Sequence, residues 1–286
     1  MSATATPLSL PGASSVGGHA HATATRVAIG ILAVIAVAAV VAPIVAPAAS
    51  EAMDLAARRA PPSLDHIFGT DELGRDVLAR VLVGARVSLS IGIFSALLSV
   101  ALGSLVGSVA GFVGGWIDAS LMRVTDAMLA IPRLPFLMIV AAILQPSIPL
   151  LIVLVGIAGW METARVVRAD VLSLAERGFV EAAHATGTSR PRVLRVHILP
   201  NVLGTITVSA TLAVGRGILL ESALSFFGVG VQPPAASWGN MLYQAQTTLS
   251  SEPWLAIFPG MAIFATVFCV NVVGEELAAS GGMEQA

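Results

Sequence analysis

Long apolar runs separated by short polar segments dominate the sequence. A helix needs about 20 residues, at 1.5 Å each, to cross the roughly 30 Å hydrocarbon core of a bilayer. Runs of about that length predict transmembrane helices at 26–47, 88–112, 124–144, 150–167, 201–220 and 254–274. The pattern therefore predicts an all-α membrane protein with about six transmembrane helices.

The polar segments suggest how the chain is organised. Residues 1–25 are mostly Ala, Ser, Thr, Gly and Pro, a composition that predicts a disordered N-terminal tail. Residues 26–86 would form the first transmembrane helix and an external segment, 87–277 a transmembrane core, and 278–286 a short C-terminal tail. The small residues at 43–50 resemble a signal cleavage site, but the hydrophobic run before them is longer than a usual signal core, which favours an uncleaved helix.

Two polar segments are predicted to lie outside the membrane. The first, at 51–89, carries charges that could pair on one short helix along the membrane surface, or could simply be solvated. These charges are on Asp71, Glu72, Arg75, Asp76 and Arg80. The second, at 219–242, is broken by glycines and a Pro233-Pro234 turn, and its Trp238 is expected at the membrane interface.

Glycines recur at helical spacing in the second hydrophobic run. Gly103, Gly107 and Gly111 would share one helix face, where another backbone can approach closely. The neighbour could be a helix of this chain or of a partner subunit.

Charged residues inside the spans need partners or water. Arg133, between Pro132 and Pro135, would cost about 2.5 to 3.5 kcal/mol facing lipid. It should therefore line a pathway, pair with a carboxylate or extend its charged end to the membrane surface. The two prolines should also interrupt that helix. Arg216 and Glu221 lie about 140° apart around a helix and are poor partners for each other, so each needs a partner elsewhere.

The end of the fourth span and the loop after it carry further charges. Glu162 could pair with Arg165 one turn on. The loop that follows has three arginines within it and one just ahead of it, and these predict a cytoplasmic location by the positive-inside tendency. They are Arg177, Arg190, Arg192 and Arg195.

That loop, Glu181 to Asn201, is predicted to contain two short helices. Gly187 suits a left-handed cap of the first, and Ser189 followed by Pro191 suits the start of the second, which Pro200 would end. Its mixture of apolar and cationic side chains indicates a docking surface.

Composition supports the membrane assignment and excludes several classes of protein. Hydrophobic residues make up 56% and charged residues 11% of the chain, against roughly 25% charged in soluble domains. The net charge of −2 gives no reason to expect nucleic acid. The single cysteine, Cys269, excludes an intrachain disulfide, and His19-x-His21 is too weak a pattern to predict a metal site. Without lysine the chain cannot form a P-loop, so any ATP must be hydrolysed by other subunits.

Several motifs together resemble a known family. The loop resembles the EAA loop of ATP-binding-cassette importer permeases at a set of positions comprising Glu181, Ala182, Ala183, Gly187, Ile198, Leu199 and Pro200. FGTDELGRDVLARVLVGARVSL and LLESALSFFGVGVQPPAASWGNML are similar to segments of the dipeptide, oligopeptide and nickel branch, in its second, C-type permease subunit. Arg216 and the last dozen residues depart from the family pattern.

The resemblance implies a transport subunit of a bacterial inner membrane with both termini in the cytoplasm. It implies three kinds of partner protein: a second homologous permease, two ATPase chains that bind ATP and Mg, and an external solute-binding protein. The chain itself would hold no cofactor and no catalytic residue. The Glu181, Ala182, Ala183 and Gly187 group would contact an ATPase, and Ile198, Leu199 and Pro200 would fix the loop to the fifth helix. Arg133, Arg216 and Glu221 would be pathway or partner contacts.

The alternatives belong to other classes. Di- and oligopeptides are the expected substrates, with nickel complexes a second option in the same branch. An autonomous ion-coupled transporter would be expected to carry buried carboxylates in mid-span, whereas the charges found there are mostly Arg133 and Arg216. An intramembrane hydrolase would need a nucleophile and a base at membrane depth, whereas His66, His184 and His197 all fall in predicted loops.

Overall fold

The computed structural model describes residues 14–45, 52–145 and 147–283, and these ranges consist of helices joined by turns, with no β-strand. The α-helices are α1 Ser14–Val45, α2 Val77–Val113, α3 Gly115–Ala130, α4 Arg133–Leu144, α5 Ile148–Ile157, α6 Trp160–Ala175, α7 Gly178–Ala185, α8 Arg190–Val193, α9 Leu199–Phe226, α10 Trp238–Ala245 and α11 Trp254–Met283. Four helical stretches are long and apolar enough to cross a membrane, and up to six spans result if each of two bent pairs counts as one. The prediction of an all-α membrane protein with about six spans is confirmed.

The first and last helices extend beyond their predicted limits. α1 begins at Ser14, inside the segment 1–25 that composition suggested as a disordered tail, while residues 1–13 lie outside the described residues. α11 continues to Met283, past the predicted boundary at 277.

The predicted surface helix at 71–80 is not present as such. Gly69 and Gly74 adopt positive φ angles of 75° and 76°, which place a turn before α2. At Gly74 a side chain would collide with the backbone of Asp54, so the turn also packs closely against the preceding segment. The prediction of a helix here is wrong because these glycines break it.

The expected charge pairing nevertheless occurs in this turn. The guanidinium of Arg75 lies 2.7 Å from the carboxylate of Asp71, and that of Arg80 lies 3.6 Å from it. Asp76 then caps α2 by accepting a hydrogen bond from the Ala79 backbone. The second span therefore starts at Val77, well before the predicted residue 88.

Two of the candidate spans are pairs of helices that meet at a bend. α3 and α4 meet at an angle of 82°, and α5 and α6 at 40°. The first break follows from Pro132, because the residue before a proline is pushed to extended backbone, as Ile131 is at φ −80° and ψ 125°. The interruption predicted from the prolines is confirmed, whereas the break between α5 and α6 was not predicted.

The glycine face of α2 packs against α6 of the same chain. A Cβ at Gly103 would lie 2.6 Å from the Trp160 carbonyl oxygen, and one at Gly111 would lie 2.9 Å from that of Arg168. Both distances are below van der Waals contact, so only glycine allows this approach. The sequence left the neighbour open, and the structure places it within the subunit.

The segment after α9 folds back onto α2 and α11. Trp238 is buried at the start of α10, and its indole N–H donates to the Val81 carbonyl at 3.0 Å. Around it lie the apolar residues of one core, Val77, Val81, Ala85, Ile218, Met241, Ala245, Leu255 and Ile263. The prediction that Trp238 lies at the membrane interface is wrong, because both its ring and its N–H are satisfied inside the protein.

Candidate functional site

The polar loop between α6 and α9 contains the two predicted helices, α7 and α8. Gly187 follows α7 and has a φ of 79°, the left-handed conformation predicted for the residue that ends the first helix. Ser189 lies immediately before α8, with Pro191 in its first turn.

The prediction for Pro200 is wrong, since the helix does not end there. A π-helical turn, Leu194–Ile198, joins α8 to α9, and Pro200 stands in the first turn of α9. In this turn the Leu199 N–H bonds to the Leu194 carbonyl, five residues back. The wider turn accommodates the proline ring, which in an ordinary helix would clash with the carbonyl four residues earlier.

The seven loop residues that carry the family resemblance divide into an exposed and a buried group. Glu181, Ala182 and Gly187 are exposed, and Ala183 is half-buried. Ile198 is fully buried in an apolar cluster, with Leu199 partly buried and Pro200 exposed. The other buried members of that cluster are Val167, Val171, Leu174, Val180, Val193 and Val202. The cluster ties the loop to both α6 and α9.

The surface of the loop combines cationic and apolar side chains. The exposed arginines are Arg177, Arg190, Arg192 and Arg195. Two large apolar side chains are also exposed, Phe179 at 40% and Val196 at 55%. Arginine and aromatic side chains are enriched at protein interfaces, so this surface can support docking of another protein.

A second polar site lies where the two broken spans meet α9. Arg133 opens α4, and its guanidinium contacts one carboxylate oxygen of Glu162 at 2.8 Å. Arg216, from α9, contacts the other oxygen at 2.7 Å. One carboxylate thus bridges two guanidiniums, and we call these three residues the ion triad.

The triad corrects one predicted pair and supplies two missing partners. Glu162 does not pair with Arg165, whose guanidinium instead lies 2.5 Å from Asp126 on α3. Arg165 is one turn along α6 and points toward α3, while Glu162 points toward α9. The expectation that Arg133 faces protein or water rather than lipid fits its side chain, which is 28% exposed and ion-paired.

The ion triad borders two cavities. One of about 270 Å³ is lined by Arg133, Arg216 and mostly small or apolar residues, namely Ser95, Ala96, Ser99, Leu134, Val155, Gly159, Ala213, Gly217, Leu219, Leu220 and Ala223. The other, of about 380 Å³, lies between α6, α9 and the end of α11 and is lined by Glu162 and Arg216 among others. Arg216 lies between the two and is 42% exposed.

Glu221 lies in a different environment from the triad. It is completely buried and accepts hydrogen bonds from the hydroxyls of Ser225 at 2.7 Å, Ser237 at 2.9 Å and Ser88 at 3.1 Å. Each serine oxygen also accepts a backbone N–H, from Val231, Asn240 and Trp238 respectively. Because each hydroxyl has one hydrogen, that hydrogen is directed to the carboxylate.

Sequence reasoning did not find these serines or the triad as a unit. Ser225 is four residues after Glu221, so helical spacing could have indicated this contact. Ser88 and Ser237 come from other elements, so no local signal connects them to Glu221.

Metal ligation has no candidate within the described ranges. No group of three or more His, Cys, Asp or Glu side chains is placed there to hold an ion. Cys269 is buried in α11. His19 and His21 lie on α1, in its first turns.

Comparisons with known proteins place the sequence among membrane transport components. The family described as binding-protein-dependent transport system inner membrane component matches residues 103–278. The oligopeptide transport system permease protein OppC of Escherichia coli is 40% identical over 259 residues, 90% of this chain and 86% of the relative. OppC of Salmonella typhimurium is 46% identical over 212 residues, 74% of this chain and 70% of that protein. The dipeptide transport system permease protein DppC of Alkalihalophilus pseudofirmus is 38% identical over 216 residues, covering 76% and 71%.

Proposed function

Because the chain belongs to the family of inner-membrane components of binding-protein-dependent transport systems, we propose that it is a permease subunit of an ATP-driven importer of di- and oligopeptides. The observation that carries the substrate class is the similarity to OppC and DppC over most of the chain, since both names specify peptides. Peptides are favoured over nickel complexes on this ground.

We infer that α7 is the element through which ATPase movement reaches the membrane. Glu181, Ala182 and Gly187 are exposed and available to a partner, and the two alanines leave the helix narrow enough to enter a cleft. Ala183 faces partly toward the loop's own apolar cluster.

The buried end of the loop would make that transmission rigid. Ile198 is enclosed in a cluster shared with α6 and α9, and the π-helical turn continues directly into α9. A displacement of α7 would therefore move both helices together rather than bend a flexible linker.

The loop's arginines support a cytoplasmic location for α7. If it is cytoplasmic, alternation of the spans puts both chain termini in the cytoplasm and the segments 52–76 and 227–253 outside. An inner-membrane location agrees with the inner-membrane description of the family.

The full transporter would contain a second homologous permease, two ATPase chains and an external solute-binding protein. ATP and Mg would be bound by the ATPases, because this sequence has no lysine for a P-loop. In this assembly Arg133 and Arg216 would lie along the path between the permeases. Glu221 is enclosed by its own chain, so a structural role suits it better than contact with solute or partner.

The proposed coupling role is tested by two substitutions in a purified complex. Gly187→Leu should lower ATPase recovery in a mild-detergent pull-down and lower ATP-driven peptide uptake about tenfold or more, because φ of 79° disfavours any side chain there. Glu181→Arg should have a similar effect by reversing charge on the exposed face. Membrane insertion should be unchanged in both.

Matched controls separate coupling from general damage. Gly115 also has a positive φ, of 57°, and open surroundings, so Gly115→Leu imposes comparable strain outside α7. Glu176→Arg reverses an exposed charge just before the loop. Wild-type uptake by Gly187→Leu would refute the coupling role, and uptake by this chain reconstituted without any ATPase would favour an autonomous ion-coupled transporter.

A further inference from the structure

We propose that the 270 Å³ cavity beside the ion triad binds a carboxylate of the passing peptide. When no peptide is present, Glu162 pairs with the two guanidiniums instead. This inference rests on the proposed function as a peptide importer. It adds a binding site, a ligand chemistry and an exchange between an internal and an external carboxylate.

Charge is the first argument. The triad contains two guanidiniums and one carboxylate, so it carries excess positive charge. Each guanidinium uses one terminal nitrogen on Glu162 and keeps further N–H groups for another acceptor. The described lining of the cavity contains no charged side chain besides Arg133 and Arg216. The charged groups in the lining are therefore both positive, and Glu162 beside them is the carboxylate that an entering anion would displace.

The helix breaks add to this positive potential. α4 begins at Arg133 and α6 begins at Trp160, and residues of both N-termini, Leu134 and Gly159, line the cavity. Neither start has a side-chain cap, so the N–H groups of these first turns are not satisfied by capping residues. Helix N-termini carry roughly half a positive charge, and broken transmembrane helices use them to hold anionic groups of substrates.

A buried hydroxyl provides an independent indication of a missing ligand. Ser99 is 4% exposed and lines the cavity, yet its Oγ has no hydrogen-bond partner among the described residues. Buried hydroxyls are normally satisfied, and this one is free to donate to a carboxylate oxygen. At Gly159 a Cβ would lie 2.6 Å from that Oγ, so the glycine leaves room for the hydroxyl at the cavity wall.

The remaining surface suits the rest of a peptide's end. Leu134, Val155, Leu219 and Leu220 form apolar walls that can accept side chains of varied shape. The volume is slightly below the roughly 300 to 1,000 Å³ of typical small-molecule pockets. A peptide terminus with one side chain is thus a better match than a whole oligopeptide.

Exchange is feasible because the triad is partly solvated. Glu162 is 37% exposed and Arg216 is 42% exposed, so their contact is weakened by water and can be replaced at low cost. Binding and release would then both be fast, as a transport path requires. The glutamate would restore charge balance after each passage.

The test is uptake by the complete transporter in proteoliposomes with ATP and saturating binding protein. Three peptides separate the sources of the carboxylate: trialanine, trialanine amide, and the amide carrying a central glutamate. Arg216→Gln should lower trialanine uptake about tenfold while changing trialanine amide less than twofold. Arg216→Lys should restore part of the difference. Glu162→Gln should lower the KM for trialanine, because it removes the competing carboxylate.

Arg165→Gln is the matched control, since Arg165 also pairs with a carboxylate but lies outside the cavity lining. If the glutamate-containing amide behaves like trialanine, a side-chain carboxylate also occupies the site; if it behaves like trialanine amide, the site takes only a terminal one. Equal loss of all three peptides in Arg216→Gln, or no loss, would overturn the inference while leaving the importer intact. Failure of the wild-type complex to import any of them would overturn the peptide assignment itself.

Discussion

Two glutamates, Glu162 on α6 and Glu221 on α9, are stabilised in opposite ways. Glu221 is fully buried and receives three neutral hydroxyls. Glu162 is 37% exposed and contacts two guanidiniums. One site is closed and holds its carboxyl group by hydrogen bonds from neutral groups, and the other is open and relies on opposite charge.

The difference teaches which parts of the fold are fixed and which can rearrange. The hydroxyls around Glu221 come from α2, α9 and the start of α10, and each is also held by a backbone N–H. Moving any of these elements would break several bonds at once. The triad instead joins two helix breaks to α9 through single ion pairs, which water or a ligand can replace.

Removal of the buried carboxyl group is expected to have the largest effect on stability. Glu221→Leu should destabilise the protein by about 3 to 5 kcal/mol, because three buried hydroxyls lose their common acceptor. Thermal unfolding in detergent and the yield of monodisperse protein measure this loss. Glu275→Leu, at an exposed position on α11, is the control and should change little. An unfolding temperature near wild type for Glu221→Leu would show that the serine network is not structural.

Local sequence signals predicted much of this fold. Apolar run length gave the spans, Gly187 and Ser189 gave the two loop helices, and Pro132 gave the first break, because each effect depends on neighbouring residues. The glycine spacing on α2 likewise predicted a close helix contact, though it did not specify α6 as the neighbour.

Tertiary pairings were beyond sequence reasoning. Arg216 meets Glu162 only because two broken spans bring distant residues together, and nothing near either residue specifies this. The same holds for Trp238, whose burial depends on the segment after α9 folding back onto α2. The π-helical turn before Pro200 was also missed, because proline normally predicts a helix end.

Removal of one hydroxyl donor to Glu221 is expected to have a smaller effect on stability. Ser237→Ala removes both a donor to Glu221 and the cap of α10, where Ser237 accepts the Asn240 N–H at 3.1 Å. Loss of a cap and one buried hydrogen bond predicts a destabilisation of about 2 kcal/mol. The same unfolding assay measures it, with the exposed Ser250→Ala as control. Equal unfolding of the two variants would mean that Glu221 is adequately held by its other two serines.

The smallest effect on stability is expected at the open site. Glu162→Gln should cost less than about 1 kcal/mol, because half-exposed ion pairs contribute little and the two arginines remain solvated. Unfolding should therefore stay close to wild type even though transport of a free carboxylate changes. If Glu162→Gln instead unfolds as early as Glu221→Leu, the triad is a structural ion pair like any other, and exchange with a substrate carboxylate would require breaking the fold. A large difference in unfolding temperature between the two variants would mean that Glu221 is a structural residue, whereas Glu162 is a counter-ion that a ligand can replace.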